Sequence, residues 1–306
     1  MSNAVAHFHA DEYPNAPPAE ARFHVIPVPY EGTVSYGTGT AAGPHAILEA
    51  SSQLEAFDGT DCPGRHGIHT RQAPNCDGTP EIVLSRVREA VASTLEAAAP
   101  GRTPPVPVLL GGEHSVTAGA VEAVTAKYGR IGMVQLDAHA DLRESYEGTR
   151  FSHACVARRV HEDLGVPLLQ FGIRALSLEE HNYRTAFTPP RSPAIISHGA
   201  LELVSLHRPS DIPFDFPADI PDPVYLTVDV DGLDPSVFPA TGTPVPGGLG
   251  WFQTLALVEW VCAHRTVAAF DVVELAPIPH LHALNYAAAE LVYRIMGFVS
   301  RSAAPR

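Results

Sequence analysis

Six short apolar runs separated by helix-length segments constrain what this chain can fold into more than any other feature. FHVIPVP (23–29), VPVLL (106–110), IGMVQLD (131–137), PLLQFGI (167–173), PVYLTVDV (223–230) and VAAFDVVEL (267–275) lack the polar alternation of a half-exposed strand. Apolar runs of that length, rich in β-branched residues, belong to strands covered on both faces, and such strands occur in parallel sheets. Segments of helical character lie around them at 44–57, 81–99, 115–128, roughly 153–163, 254–264 and 286–300, while 58–80 is turn-rich. The alternation predicts a single-domain, three-layer αβα fold with a mostly parallel central sheet. No repeat, low-complexity tract or linker divides the chain, so residues 23–306 read as one domain, preceded by an Ala-, Pro- and acid-rich N-terminal arm at 1–22.

Composition narrows the partners. A formal net charge of −14 argues against nucleic acid or an anionic membrane, both of which demand a basic face, and favours cationic substrates and metal ions. Cys62, Cys76, Cys155 and Cys262 are widely spaced with no Cys-x-x-Cys pair, which predicts free thiols in a reducing compartment. The first residues lack a basic segment followed by an apolar run, and no stretch approaches the ~20 apolar residues of a membrane span. A soluble, cytoplasmic protein is therefore expected.

Ligands of open parallel sheets bind beyond the carboxyl ends of the strands. Here VPVLL runs into GGEHS, IGMVQL into DAHAD, VYLTV into DVDGLDP and VAAFDVV into ELAP, so four strands deliver polar side chains to one edge. In DAHAD, Asp137, His139 and Asp141 occupy every second position, and residues i, i+2 and i+4 of a strand share a side. Two carboxylates and an imidazole placed together resist desolvation unless a cation sits among them. With His114, Asp229 and Asp231 the candidates number two imidazoles and four carboxylates. One tetrahedral zinc needs three or four ligands and prefers nitrogen or sulfur, whereas an oxygen-rich set of this size suits two hard divalent ions of the manganese type. Taken singly, His114 could merely start or pack a helix, and Asp229 and Asp231 could cap a turn. Their joint placement at one sheet edge favours metal. The Gly-rich loop YEGTVSYGTGTAAG (30–43) spaces its glycines one residue wider than a dinucleotide fingerprint and reads as a loop near a ligand mouth.

GGEHS (111–115), DAHADL (137–142), the SHA around His153, DVDGLDP (229–235) and DVVELAP (271–277) resemble the signature blocks of the ureohydrolases, the arginases, agmatinases and their relatives. The likeness runs in order from about Pro29 to the last helix, with Glu113 standing where the family more often has Asp. It implies the arginase/deacetylase-like fold and a ureohydrolase catalytic domain over 23–306. It also implies two Mn2+ per chain, one held by His114, Asp137, Asp141 and Asp229, the other by His139, Asp137, Asp229 and Asp231. By the same resemblance, a hydroxide bridging the ions attacks a guanidinium carbon. Asp141 orients it and passes a proton to the leaving amine, His153 exchanges protons with solvent, and Glu274 pairs with the substrate guanidinium.

The segment LRESYEGTRFS between DAHAD and His153 looks like agmatinase, with Glu144 and Glu147 where arginases hold an amino-acid carboxylate. Local negative charge there favours a terminal amine, although Arg143 and Arg150 weaken that preference. The reading is hydrolysis of agmatine to putrescine and urea, with guanidinobutyrate, guanidinopropionate, arginine, free guanidine and formiminoglutamate as rival substrates. A single-zinc deacylase of the same fold and a silent binding homologue are rival functions. The family implies a homo-oligomer, trimer or hexamer. His280 and His282 either line the site mouth or sit on the surface.

Overall fold

The computed structural model describes residues 7–97 and 104–302. In chain order the elements are β1 (Phe23–Val28), α1 (Gly43–Ser51), β2 (Ile68–Thr70), α2 (Pro80–Leu95), β3 (Val106–Gly111), α3 (Val116–Tyr128) and β4 (Gly132–Leu136). There follow α4 (Val156–Leu164), β5 (Leu168–Ile173), α5 (Leu178–Ala186), β6 (Ile195–Gly199), β7 (Val224–Asp229), α6 (Trp251–His264), β8 (Val267–Val273) and α7 (Ala283–Ser302). The strands form one sheet in the order β2-β1-β3-β8-β7-β4-β5-β6, and every pairing is parallel.

The apolar runs become strands because each has a helix layer on both sides. On one face Val25, Val108, Leu136, Val228 and Val272 pack with Ile47 of α1, Leu257 of α6 and Val292 of α7. On the other Ile26, Leu109, Met133, Tyr225 and Val273 pack with Val87 of α2, Val121 of α3 and Val160 of α4. At roughly 1.5–3 kcal/mol for each fully buried aliphatic side chain, these two layers dominate the favourable side of folding. The four cysteines are free, and no helix among the described residues is long and apolar enough to cross a membrane.

Three elements escape the sequence pattern. β2 is only three residues long, and β6, IISHG, is a half-buried edge strand. α5, LEEHNYRTA, has no apolar stripe and buries only Glu180. A reciprocal cap starts it, with the Ser177 hydroxyl accepting from the Glu180 N–H and the Glu180 carboxylate accepting from the Ser177 N–H. Several expected helices also differ in extent: α2 ends at Leu95 and not at 99, with 98 and 99 outside the described residues, and α6 and α7 begin at Trp251 and Ala283, ahead of 254 and 286. α1 stops at Ser51 and does not run on to 57, while the segment expected at 153–163 opens with a 3-10 turn, His153–Cys155, before α4 begins.

Residues 7–22 lie against β2. Phe8 is buried and its N–H donates to Thr70 Oγ1. The Ala16 N–H donates to the Ile68 carbonyl, and the Asn15 amide both accepts from the Thr70 N–H and donates to its carbonyl.

Candidate active site

β3, β8, β7 and β4, the strands whose ends carry the candidate residues, are consecutive neighbours at the middle of the sheet. Their carboxyl ends bring His114, Glu274, Asp229, Asp231 and the DAHAD segment to one place. The convergence of DAHAD is not that of a continuing strand. β4 ends at Leu136, His139 forms an isolated bridge to Ala175, and Asp141 sits in the left-handed region at φ 52°. Glu274, just beyond β8, is also left-handed at φ 65°. Non-glycine residues rarely hold this conformation, which costs of order 1–3 kcal/mol and recurs at functional sites.

Two groups of donors result. His114 Nδ1 lies 3.2 Å from Asp137 Oδ2, 2.9 Å from Asp141 Oδ2 and 3.3 Å from Asp229 Oδ2. His139 Nδ1 lies 2.9 Å from Asp231 Oδ2 and 3.7 Å from Asp137 Oδ1. The two oxygens of Asp137 thus face different imidazoles. The second oxygen of Asp229 accepts the Asp231 N–H at 2.8 Å. The carboxylates are held by local bonds: Gln135 Nε2 donates to Asp137 Oδ2, the His139 N–H to Asp137 Oδ1, and the Ala138 N–H to Asp231 Oδ1.

The donor set fits divalent cations. Despite three nearby carboxylate oxygens, buried His114 Nδ1 makes no properly aligned hydrogen bond. Its Nε2 is taken up by Thr227 Oγ1 at 2.9 Å, so the nitrogen facing the acids is free to act as a ligand. Among the described residues, His114 with Asp137 and Asp141, and Asp137 with His139 and Asp231, each bring their donor atoms within 4.8 Å of one another. The titration behaviour shows the same crowding of negative charge. Burial, with Asp141 and Asp231 nearby, pushes Asp137 up to about 7, and burial beside Asp231 and Asp137 raises Asp229 well above the carboxylate range. Burial alone would depress His139, yet Asp231 and the acids around it raise it to about 10. Cations placed among these groups would take over the role that bound protons play in their absence.

A cavity of about 320 Å³ is lined by His114, His139, Asp141, Asp229 and Asp231, and also by His153 and Glu274. Asp137 is wholly buried and lies behind this lining. Glu274 Oε1 accepts the His114 N–H at 2.6 Å, and burial pushes its carboxyl up to about 8. Glu144 and Glu147 are not brought to the cavity. Glu144 is exposed and paired with Arg158 at 2.9 Å and Arg159 at 3.2 Å, both on α4, and Glu147 sits exposed in the turn between Tyr146 and Thr149. His280 and His282 are exposed and outside the lining.

The wall expected from Glu144 and Glu147 is built instead by Arg143, Tyr146, Leu176, Ser177 and Glu180. Arg143 lies 4.9 Å over the Tyr146 ring, and its Nε is 3.8 Å from Glu180 Oε2. Glu180 also accepts the Leu142 N–H at 3.0 Å, tying α5 to the DAHAD segment. The Ser-x-x-Glu pattern at 177–180 is a capping-box signature that marks these residues in the sequence. Asp271, within β8 behind the site, receives the hydroxyls of Thr117 and Tyr225.

An all-parallel sheet with a His/Asp cluster able to hold metal ions at the carboxyl ends of its middle strands defines an α/β protein with a candidate metal centre. The chain belongs to the arginase family, whose model matches residues 21–297, and is a ureohydrolase acting on linear amidine C–N bonds. It is 36% identical over 294 residues to an N(1)-aminopropylagmatine ureohydrolase of Synechocystis, covering 93% of this chain and 91% of that protein. It is 32% identical to an agmatinase of Pyrococcus horikoshii, covering 95% and 96% respectively. The crystal structure of the agmatine ureohydrolase of Thermoplasma volcanium superposes with a TM-score of 0.79 at 27% identity, covering 97% of this chain and 95% of that one.

Proposed function

We propose that this protein is a two-manganese ureohydrolase that converts agmatine to putrescine and urea, a step of polyamine synthesis. The observation that carries the reading is the meeting of two imidazole Nδ1 atoms and four carboxylates beside a cavity that also presents Glu274. Divalent cations held by His114, Asp137, His139, Asp141, Asp229 and Asp231 would lower the pKa of a bound water and so supply a nucleophile at neutral pH.

The chain's own residues supply the rest. Glu274 keeps Oε1 on the His114 N–H, and its Oε2 carries no bond among the described residues, leaving one edge for the planar fork of a guanidinium. A cation bound there draws the carboxyl back to its charged form. Asp141, whose Oδ2 faces His114, orients the attacking water and carries its proton to the leaving nitrogen. His153, on the cavity wall, exchanges protons with solvent. This reading takes 23–306 as the catalytic domain of a cytoplasmic homo-oligomer, a trimer or hexamer.

A second substrate is favoured by the relatives: the N(1)-aminopropylagmatine ureohydrolases of Synechocystis and Thermococcus kodakarensis are both 36% identical to this chain. Such a substrate presents the same guanidinium and extends its tail with a further amine. Urea release by manganese-loaded protein on agmatine, N1-aminopropylagmatine, arginine, guanidinobutyrate, guanidinopropionate, guanidine and formiminoglutamate decides between them. One of the two amine-tailed substrates is expected to lead; arginine or guanidinobutyrate in first place overturns the substrate reading. Elemental analysis is expected to give two manganese ions per chain, and one tightly held zinc sinks the two-metal reading.

A further inference from the structure

The Gly-rich loop after β1 has no part in the chemistry so far, yet it is fastened to the active site by a buried acid. Glu113, fully buried, receives four donors: the Gly32 N–H at 2.7 Å and the Thr33 N–H at 2.6 Å on Oε2, the Thr33 hydroxyl at 2.7 Å and the Ser115 hydroxyl at 2.5 Å on Oε1. Farther along the loop, Glu31 gathers the Gly39 and Ala41 N–H groups and so closes the loop on itself. Thr33 is therefore fixed in position, and its single hydroxyl proton is committed to Glu113.

The other side of the Thr33 oxygen faces His153. It accepts the His153 N–H at 3.0 Å and lies 3.3 Å from His153 Nδ1. A hydroxyl has one proton and two acceptor lone pairs. With the proton given to Glu113, Thr33 Oγ1 can only accept from the ring. A neutral imidazole carries its proton on one nitrogen, and a lone pair on Nδ1 would oppose the lone pair of Thr33. The Ser152 hydroxyl, 3.3 Å from the same Nδ1, can rotate to suit either state, so Thr33 decides. The remaining nitrogen, Nε2, has no partner among the described residues, and His153 lines the cavity.

We infer that Thr33, anchored by Glu113, is a positioning residue that holds His153 as the Nδ1–H tautomer and leaves Nε2 as the basic nitrogen toward the cavity. This rests on the proposed proton-transfer role of His153. The loop thus serves the residue that exchanges protons with solvent, with Thr33 held by Glu113.

The test compares wild type, Thr33→Val, Thr33→Ser, Glu113→Gln and His153→Ala as manganese-loaded proteins. It measures urea release and the rate at which diethyl pyrocarbonate modifies His153, followed by peptide mass mapping. Thr33→Val is expected to lower kcat about tenfold, a fraction of the 10²–10⁴ a positioned acid–base group supplies, with KM within about twofold. It is expected to slow His153 modification about fivefold as the ring redistributes between tautomers, and Thr33→Ser restores both. Glu113→Gln gives an independent reading if Thr33→Val folds poorly. Its amide oxygen must face the two loop N–H groups, so its NH2 meets Thr33, whose proton then turns to Nδ1 and slows modification of Nε2. Unchanged kcat and unchanged His153 reactivity in both variants overturn the inference. Full turnover by His153→Ala removes instead the role assigned to His153, while the modification rates still report on Thr33.

Discussion

Thr227 Oγ1 sits 2.9 Å from His114 Nε2, on the side of the ring opposite the carboxylates of Asp137, Asp141 and Asp229. A threonine inside β7 therefore sets which nitrogen of an imidazole beyond β3 faces the acids. Partners of this kind typically contribute 10–100-fold to metal affinity. Thr227→Val, nearly equal in shape, is expected to weaken manganese binding within about that range while kcat at saturating metal changes little. Titration of urea release against free manganese measures it; an unchanged half-saturation point would falsify the orienting role.

Asp137 is the residue whose two oxygens face both imidazoles. Asp137→Asn keeps the shape, removes the charge common to both groups, and is expected to lower manganese content and cut urea release by more than about 100-fold, beyond what an orienting residue contributes. Metal analysis after gel filtration, with circular dichroism to establish folding, gives the answer. A folded variant that retains two ions and full turnover rules out the bridging assignment.

Arg143 places a cation on a cavity wall otherwise suited to amines. Its guanidinium is only loosely offset by Glu180, with Nε 3.8 Å from the carboxylate. Removing a partly screened charge near the substrate tail changes the interaction by about 1 kcal/mol, or about fivefold. Arg143→Gln is expected to raise kcat/KM for agmatine relative to guanidinobutyrate by that factor. An unchanged ratio would show that Arg143 faces away from the tail.

Asp58 ties the end of α7 to the loop after α1. It is 3% exposed, and its Oδ2 lies 2.6 Å from Arg301 Nη1 while the Thr60 and Asp61 N–H groups reach Oδ1. Burial opposes its charge, but Arg301 and these N–H donors outweigh it and hold its carboxyl below the usual range. A depressed folded value means stabilisation that is present above the unfolded pKa of about 4 and lost as pH falls through the folded value. Because the Arg301 side chain is 30% exposed, Asp58→Asn should cost about 2 kcal/mol at pH 7, less than breaking a fully buried pair. The difference between the urea unfolding midpoints of the two proteins should begin to shrink below about pH 4; a gap as large at pH 3 as at pH 7 refutes the assignment.

The strands and the metal-type donors were legible because both depend on local pattern. An apolar run such as VYLTV must be covered wherever it lies, and acids following such a run at a parallel sheet's edge must meet something cationic. α5 carries no apolar stripe and is announced only by its Ser177-x-x-Glu180 capping box, since that cap and the bond from the Leu142 N–H to Glu180 hold it where a buried apolar face normally would. Glu144 was misplaced for a non-local reason. Its partners Arg158 and Arg159 lie on α4, beyond the 3-10 turn at His153, and only the folded chain shows that they pair with it outside the cavity lining. The left-handed turns at Asp141 and Glu274 have no glycine to announce them.

Asn15 pairs with both the N–H and the carbonyl of Thr70, the polar groups that β2 would otherwise offer to a neighbouring strand. With the Ala16 N–H on the Ile68 carbonyl, the amide of one side chain and one backbone group blunt the sheet margin beside β1. An unprotected margin of that kind recruits strands from other molecules and seeds aggregation. Residues 7–22 thus act as a guard on solubility at high concentration, and assembly of copies at this margin by strand addition is closed while they remain in place.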